Sequence, residues 1–477
     1  MKLTLIQPCI GRRADHPSIH SSPMEPLAPA IISALTPSDI QRVFYDDALG
    51  PIPFDEPTDL VALNVEAYTA KRAYQIASEY RKRGVPVVMG GVHPTLCPED
   101  AAQYAESVVI GEAEEIWETV LMDAERGALK TFYCTSDRPI HLHAHPDRSI
   151  FEGKNYLPIG LVETGRGCQF RCDFCSVQSA YQHIHASHAI NDVIEEIQKR
   201  RRAVYFFVDD NFSANIEHAK SLLRALIPLK IHWVGQCSLN AACDEEFIQL
   251  LASSGCYGLL IGFESLNPNN LKTMKKSSNL KDGVLATGLA NLRKYKIRID
   301  ASFIFGYDED NETSFNATLN FALEQRFCLA GFGHLTPFPG TPLYKRLEQE
   351  KRLRYEKWWL DDGYRLNTIP FQPRNMTPEQ LQQGCHDVSR RFFDFRNILY
   401  RSFDPVNASP FYLWPVFLGL NSLFNSRVGQ LAIGQRDLLS LGDNGWQGHL
   451  IKVRERVEIP FAYQSSYSDS LQNWDVN

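Results

Sequence analysis

Three cysteines lie close together in one short polar segment of the chain. Cys168, Cys172 and Cys175 have the spacing CxxxCxxC and come directly after an apolar run over 159–162 that is typical of a strand. A 4Fe-4S cluster has four irons to ligate, so three thiolates leave one iron open to a molecule that is not protein. The spacing therefore predicts an open and reactive iron–sulfur site.

Zinc is the alternative metal for this loop. His183, His185 and His188 follow the cysteines, and three cysteines with one histidine form a common zinc ligand set. Zinc thiolate pairs usually lie two to four residues apart with a second pair far downstream, which disfavours zinc here. A purely structural group of buried cysteines is disfavoured as well, because charged residues such as Arg166 and Arg171 are interleaved with them.

The loop resembles the cluster loop of the radical S-adenosylmethionine enzymes, which reads CxxxCx(aromatic)C and here has Phe174 before the third cysteine. In that family the open iron is chelated by the amino and carboxylate groups of S-adenosylmethionine, and one electron cleaves the molecule to a 5′-deoxyadenosyl radical. The resemblance implies that the three cysteines bind the cluster and that Phe174 contacts S-adenosylmethionine. It also implies an electron donor such as a flavodoxin or ferredoxin.

The elements that must position this loop follow a repeated pattern of strand, loop and helix. Six strands are predicted over 160–163, 204–208, 231–236, 258–263, 298–305 and 331–336. This repeat predicts a parallel partial (β/α)6 barrel over 159–345, with its site at the carboxyl ends of the strands.

Polar residues or glycine stand where these strands end, and several of them resemble family motifs. The segment GFES resembles the family's GxES element, and FFVDDN lies where the family holds the S-adenosylmethionine amino group or the substrate. A paired-carboxylate metal site is the alternative for the two aspartates, but adjacent side chains of an extended segment point to opposite faces. The resemblance implies Asp209, Asp210 and Glu264 as catalytic residues, with cofactor contacts from Glu264 and from Gln236, Ser238, Ser265 and Gly306.

The first 140 residues alternate strand-like and helical segments, which predicts a flavodoxin-like Rossmann domain with a parallel sheet. Ligands of such sheets bind at the carboxyl ends of the strands. Gly90 and Gly91 in VVMGGVHP allow a ligand to approach the backbone closely. The segment that begins at Gly111 opens a helix whose amides suit a polar ligand.

Three segments of this domain, LNVEAYTAKRAYQIA, VPVVMGGVHPT and VVIGEAEEIW, resemble the cobalamin-binding domain that precedes many radical S-adenosylmethionine barrels. The DxHxxG signature that supplies an axial histidine is missing, and the corresponding turn over 46–50 has no histidine. We therefore expect cobalamin without histidine ligation, and His93 as a structural or tail-contacting residue. The resemblance implies cobalamin contacts from Asn64, Gly90, Gly91, Gly111 and Glu112.

The remaining chain is expected to comprise a linker over 141–158 and a helical, aromatic region over 346–477 that ends in a loose tail from residue 464. The aromatic residues suit either plain core packing or a cap over a bulky apolar substrate, such as a polycyclic lipid or a tetrapyrrole. The segment 411–420 is about half as long as a membrane span and contains Pro415, so a buried segment is favoured over contact with a bilayer surface.

Composition restricts the class of protein further. At 477 residues the chain predicts two to three domains, and 44% apolar residues indicate a folded protein. A net charge of −7 argues against a general nucleic-acid surface. Eleven cysteines without regular pairing, no signal-peptide pattern and no run long enough for a transmembrane segment predict a cytoplasmic location.

Together the two modules favour a C-methyltransferase, in which a substrate carbon is activated by the radical and methylated from methylcobalamin. Two alternatives stay open. One is a cobalamin-binding radical enzyme that performs an oxidation, cyclisation or rearrangement without methyl transfer, and the other is a non-catalytic role in redox sensing or cofactor handling.

Overall fold

The computed structural model of the chain describes residues 1–11, 23–135, 142–433, 440–442, 445–460 and 463. The predicted tail over 464–477 lies outside the described residues, as does the linker residue 141. Two six-stranded sheets, each wholly parallel, form the centres of two α/β units. The predicted fold class is thereby confirmed.

The N-terminal sheet has the strand order β2-β1-β3-β4-β5-β6, so the chain switches direction between β1 and β3. Ligands of open parallel sheets bind at such a switch point. The last strand was not predicted, because three residues are too few for a period of two to stand out. The strands are β1 Lys2–Gln7, β2 Gln41–Asp46, β3 Leu60–Asn64, β4 Val87–Gly90, β5 Ser107–Ile110 and β6 Phe132–Cys134.

Helices cover both faces of this sheet, as its apolar strands require. One face packs against α2 and α4, and the other against α1 and α5. The helices are α1 Leu27–Leu35, α2 Ala70–Lys82, α3 Val92–Leu96, α4 Pro98–Ala101 and α5 Trp117–Glu125.

The second sheet has the strand order β14-β13-β12-β11-β10-β7 and is the predicted partial barrel. Alternate residues of its strands, such as Leu259, Ile261 and Phe263, pack beneath the outer helices, and the residues between them face inward. The strands are β7 Ile159–Val162, β10 Val204–Phe207, β11 Trp233–Cys237, β12 Cys256–Glu264, β13 Arg298–Phe305 and β14 Leu329–His334.

An antiparallel hairpin that was not predicted flanks the cysteine loop, formed by β8 (Gly165–Gly167) and β9 (His185–Ser187). Gly167 has a φ of +86°, and a Cβ there would lie 2.1 Å from the carbonyl oxygen of Ile184. Only glycine therefore fits at this position. The barrel helices are α6 Ser176–Tyr181, α7 Ile190–Lys199, α8 Ile216–Leu226, α9 Glu245–Ser253, α10 Pro268–Thr273, α11 Val284–Lys294, α12 Glu312–Glu324 and α13 Pro342–Gln349.

The chain after the barrel comprises a non-helical part and a helical part. Non-helical residues between α13 and α14 return to the N-terminal domain, where Trp358, Trp359 and Tyr364 join its core. Three helices then pack together, the first of them against β14 through the rings of Phe332 and Phe392, 5.4 Å apart. They are α14 Pro378–Phe392, α15 Phe395–Ser402 and α16 Trp414–Ile433.

The segment 142–158 is a docked connection between the two α/β units. Phe151 packs edge-on against Phe44. The Arg148 guanidinium donates to Glu25 at 3.1 Å and to Glu196 of the barrel at 2.6 Å. Burial of these charges in one network ties the connection to both units.

The expectation of a buried segment over 411–420 is wrong for most of its length. Phe411 is 79% exposed and Tyr412 is 63% exposed, whereas Phe417 is buried. Within the described ranges, no helix combines the length and apolar character that a bilayer crossing needs.

Candidate functional site

The cysteine loop lies between β8 and α6 at the carboxyl edge of the barrel. Cys168, Cys172 and Cys175 are each partly exposed. Burial raises the thiol pKa of Cys172 to about 12 and that of Cys175 to about 11, and it raises the pKa of Cys168 as well. A bound cation reverses this effect, because a coordinating thiol is deprotonated outright.

The described residues do not support the zinc alternative. Among them, no group of three or more histidine, cysteine, aspartate or glutamate side chains is gathered closely enough to hold one metal ion. His183 Nδ1 lies 3.2 Å from the carbonyl oxygen of Phe170, and His188 Nε2 lies 3.2 Å from a carboxylate oxygen of Glu163. The zinc alternative therefore finds no gathered ligand set among the described residues.

The two adjacent aspartates after β10 hold the hairpin that leads into this loop. Asp209 accepts hydrogen bonds from the Thr164 amide at 2.6 Å and the Gly165 amide at 3.2 Å. Asp210 accepts from the Gly167 amide at 2.8 Å. Burial raises the carboxyl pKa of Asp209 to about 7 and that of Asp210 to about 6. The structure thus places both carboxylates against the loop backbone, and their predicted contact with S-adenosylmethionine or substrate stays a prediction.

Side chains from β11 extend this support. Gln236 donates through Nε2 to the carbonyl oxygens of Asp209 and Asp210, at 2.7 and 3.0 Å. Ser238 Oγ lies 3.1 Å from Ser213 Oγ, which in turn donates to Asn211 at 2.7 Å. The same asparagine directs its Nδ2 at Cys168 Sγ, 3.8 Å away. These residues therefore connect the end of the third barrel strand to Cys168, the first predicted cluster ligand.

The other side of the loop is fixed by residues that sequence reasoning missed. The Asp173 amide donates to the carbonyl of Met274 at 3.1 Å, and its own carbonyl accepts from the Leu343 amide at 3.0 Å. The Tyr307 hydroxyl donates to the Asp173 carboxylate. The ring of Phe174, a predicted cofactor contact, packs edge-on against the Tyr307 ring, with 6.4 Å between the ring centres. The loop is therefore held by the segments that follow the fourth, fifth and sixth barrel strands.

Glu264 ends β12 with a φ of +63°, a conformation that few residues other than glycine adopt. Its carboxylate forms an ion pair with Lys276, a residue that sequence reasoning did not single out. Both side chains are nearly buried, and the positive charge of Lys276 opposes the burial that raises the pKa of Cys172. The ion pair therefore places one positive and one negative charge, with no net charge, beside the cysteine loop.

Ser265 and Gly306, the other predicted contacts at strand ends, are engaged in turn structure. Ser265 Oγ accepts from the Asn267 amide at 3.1 Å, just before α10. The Gly306 amide donates to Asp310 at 3.0 Å. Burial raises the carboxyl pKa of Asp310 to about 6. Their predicted contacts with S-adenosylmethionine stay predictions.

We expect Lys276→Met to lower the free energy of unfolding by about 3 kcal/mol, because it leaves the Glu264 carboxylate buried without its partner. Guanidinium unfolding of the purified chain measures this change. The double variant Lys276→Met with Glu264→Gln removes both charges and is expected to recover part of the loss. Equal instability of the single and double variants would contradict the coupling.

A cavity of about 340 Å³ lies between the carboxyl edge of the N-terminal sheet and the barrel. The barrel lines it with residues of the hairpin region, including Glu163, Arg166, Tyr181 and His188. All five residues predicted to contact cobalamin line its other side: Asn64, Gly90, Gly91, Gly111 and Glu112.

The backbone of Gly91 lines this cavity, and we call this part of the lining the glycine floor. The φ of Gly91 is +109°, and a Cβ there would lie 2.7 Å from Asn64 Oδ1 and 2.8 Å from the carbonyl oxygen of Val65. The lining also includes apolar side chains, among them Ile31 of α1 and Trp117 of α5. A lining that combines polar and apolar side chains suits a large ligand with both kinds of surface.

One cation in the cavity lining, Arg166, joins the two units. Arg166 donates to Glu114 of the N-terminal domain at 2.6 Å and to both carboxylate oxygens of Glu163, at 2.9 and 2.8 Å. With Arg166 and His188 beside it, the pKa of Glu163 falls to about 2 despite burial. His93 is absent from the lining and lies inside the N-terminal core, where its Nε2 is 3.1 Å from the Tyr74 hydroxyl, as expected of a structural residue.

Comparison with known proteins identifies relatives of both units. Residues 162–322 match the family model of the radical SAM superfamily. The chain is 32% identical over 389 residues to bacteriochlorophyllide d C-12(1)-methyltransferase of Chlorobaculum tepidum, covering 79% of this chain and 84% of that protein. It is 25% identical over 350 residues to hopanoid C-2 methylase of Rhodopseudomonas palustris, covering 70% and 66%.

Among solved structures, the fold is similar to that of the radical S-adenosylmethionine methyltransferase TsrM from Kitasatospora setae with cobalamin and a 4Fe-4S cluster bound. The TM-score is 0.63 at 16% identity, and the match covers 91% of this chain and 99% of that one. The likeness therefore extends over both α/β units and their arrangement.

Proposed function

The chain belongs to the radical S-adenosylmethionine enzymes, in their cobalamin-binding branch, and from this premise we propose that it methylates a carbon atom of a bulky apolar substrate. The predicted family is confirmed. The cofactors are a 4Fe-4S cluster and cobalamin, which supply the radical chemistry and the methyl group when bound, with S-adenosylmethionine as the cosubstrate.

A single observation carries the proposal: one cavity is lined both by the residues predicted to contact cobalamin and by Arg166 of the strand that leads into the cysteine loop. Gly91 forms its floor on the N-terminal side, and Arg166, two residues before Cys168, forms its wall on the barrel side. A ligand on the glycine floor therefore lies next to the loop that binds the cluster. Reacting groups held in one dry space gain rate from proximity and from the exclusion of water.

Several side chains acquire distinct roles in this proposal. Glu264 and Ser265, together with Gln236 and Ser238, hold S-adenosylmethionine at the strand ends, and Phe174 and Gly306 flank it. Asp209 and Asp210 act through the hairpin backbone, which they fix by hydrogen bonds. This assignment differs from direct catalysis by the two aspartates, because their carboxylates are directed at amides of the loop.

The proposed substrate class is inferred from the substrates that the names of the relatives specify. Their names specify a bacteriochlorophyllide and a hopanoid, a tetrapyrrole and a polycyclic lipid. Both are bulky and largely apolar, so we propose an acceptor of this kind. A flavodoxin or ferredoxin supplies the electron, and eleven cysteines beside an iron–sulfur site suit the reducing cytoplasm.

Anaerobic reconstitution with methyl-labelled S-adenosylmethionine tests the proposal, with a bacteriochlorophyllide and a hopanoid offered as acceptors. We expect 5′-deoxyadenosine together with a labelled, methylated acceptor. Deoxyadenosine with a changed but unmethylated acceptor would instead support oxidation, cyclisation or rearrangement. Absence of any S-adenosylmethionine cleavage by a fully loaded cluster would contradict both enzymatic functions.

A further inference from the structure

Lys276 is held against the cysteine loop by the segment that follows α10. The amide of Asp173, the residue after the second cysteine of the loop, donates to the carbonyl of Met274 at 3.1 Å, two residues before the lysine. On the barrel side, Asn279 Nδ2 donates to the carbonyl of Gly262 in β12 at 3.2 Å. Contacts before and after Lys276 therefore fix its segment between the loop and the fourth barrel strand.

The ammonium of Lys276 reaches into the barrel over a residue that has no side chain. A Cβ at Gly262 would lie 2.6 Å from Lys276 Nζ and 2.1 Å from Glu264 Oε1. Gly262 belongs to the inner face of β12, since Ile261 and Phe263 on either side of it pack in the outer core. Glycine at this position therefore leaves room for the ion pair inside the barrel.

Lys276 keeps its proton in this position and presents its charge to the cysteines. Burial lowers the pKa of the ammonium, but the Glu264 carboxylate opposes burial, and the pKa lies above its ordinary value. Burial raises the thiol pKa of Cys172, the Lys276 charge lowers it, and the opposite effect of Glu264 is smaller. The same positive charge acts on Cys168. Although the ion pair has no net charge, its positive end therefore dominates at these two thiols.

Two other cations adjoin the loop, but both are exposed. Arg171 lies within the loop and Lys275 directly precedes Lys276. Water and salt screen exposed charges, whereas a buried charge acts through a lower effective dielectric constant. The side chain of Lys276 is only 14% exposed. Of the three cations, Lys276 therefore has the strongest effect on a charge held by the loop.

We propose that Lys276 raises the reduction potential of the iron–sulfur cluster that this loop binds. Reduction adds one electron, which the flavodoxin or ferredoxin supplies, and the potential of such a cluster depends on the charge around it. A buried positive charge stabilises the more negative, reduced cluster. Lys276 thus makes the cluster easier to reduce. The inference does not depend on methyl transfer, because this reduction needs neither S-adenosylmethionine nor an acceptor.

A redox titration of the full-length holoprotein tests the proposal. The protein is poised anaerobically at a series of potentials without S-adenosylmethionine, and the low-temperature electron paramagnetic resonance signal of the reduced cluster is recorded. At the potential where the wild type is half reduced, we expect Lys276→Met to lower the ratio of reduced to oxidised cluster about tenfold. For one electron this is a shift of about 59 mV to more negative potential. Lys276→Arg keeps the charge and should recover most of the wild-type value.

Glu264→Gln tests the sign of the effect. It removes the negative partner and keeps the ammonium, so the potential should rise rather than fall. A purely structural role of the ion pair would shift both single variants in the same direction, because both break the pair. Lys275→Met removes the adjacent exposed cation, is the matched control, and should have the potential of the wild type.

A wild-type potential in Lys276→Met, or a shift of the same sign in Lys276→Met and Glu264→Gln, would overturn the proposal. Iron and sulfide per chain show that each variant compared holds a full cluster. If Lys276→Met alone does not hold one, the double variant Lys276→Met with Glu264→Gln replaces it. The double variant differs from Glu264→Gln only in lacking the lysine charge, so its potential should be the lower of the two. Equal potentials of these two variants would also overturn the proposal.

Discussion

Cys172→Ala will abolish S-adenosylmethionine cleavage, because an iron–sulfur cluster that loses one of its three thiolates is no longer held. We expect iron and sulfide per chain to fall far below those of a full cluster after anaerobic reconstitution. The visible absorbance of the cluster should disappear with them. Formation of 5′-deoxyadenosine, measured by chromatography with a chemical reductant, should fall below detection.

Cys243→Ala is the matched control for this variant. Cys243 is also partly exposed, but it lies outside the loop, with its thiol directed at the carbonyl of Val284, 3.6 Å away. It should retain a full cluster and full cleavage. Both variants should bind cobalamin normally, because the glycine floor is on the other domain. Normal iron content and activity in Cys172→Ala would contradict the cluster assignment.

Gly91→Ala will impair the cobalamin site and leave the cluster site intact, which is the reverse of the effect expected of Cys172→Ala. The new Cβ would lie within 3.0 Å of three atoms of the cavity floor and would require a φ of +109°, which residues with a side chain rarely adopt. Strain of this kind costs about 1–3 kcal/mol, so we expect corrinoid affinity to fall about tenfold or more. Methyl transfer should fall accordingly, whereas the cluster and formation of 5′-deoxyadenosine remain.

Gly127→Ala provides the control for backbone strain. Gly127 also has a positive φ, +64°, but a Cβ there would meet nothing within 4 Å. Titration with hydroxocobalamin, followed by removal of unbound corrinoid, measures retention in each variant. Gly127→Ala should retain the wild-type amount. A Gly91→Ala protein that retains as much corrinoid as Gly127→Ala would show that cobalamin does not lie on the glycine floor.

Features that depend on residues close together in the sequence could be predicted without the structure. The three cysteines lie on one loop, so their spacing and the resemblance of this loop could predict an iron–sulfur site without knowledge of the fold. Strand and helix periods are equally local, and the strand over 298–305 coincides with β13. Glycines 90 and 91 stood at a strand end of a parallel sheet, and strand ends of such sheets share one edge. All five predicted cobalamin contacts accordingly line one cavity.

Features that depend on distant residues could not be predicted in this way. Lys276 is an ordinary lysine in the sequence and becomes notable only because folding brings it to Glu264. The aspartates after β10 were predicted as ligand contacts, but which side of the barrel edge they face depends on the hairpin at Thr164 and Gly167. The burial of a helical segment likewise depends on what packs against it, which is why the exposure of Phe411 was missed.

Short-range patterns in the amino-acid sequence predict the chemistry available to this protein: an open iron–sulfur loop, a barrel to hold it and a preceding domain with a glycine-lined ligand edge. These follow from residue types at short spacing, which local backbone geometry converts directly into structure. Three other features are visible only in the folded chain: Gly91 and Arg166 line one cavity, Asp209 supports the backbone that leads into the loop, and Phe403 and Phe411 stay exposed. Each of these depends on contacts between segments far apart in the chain, whose pairing is set by the packing of the whole molecule.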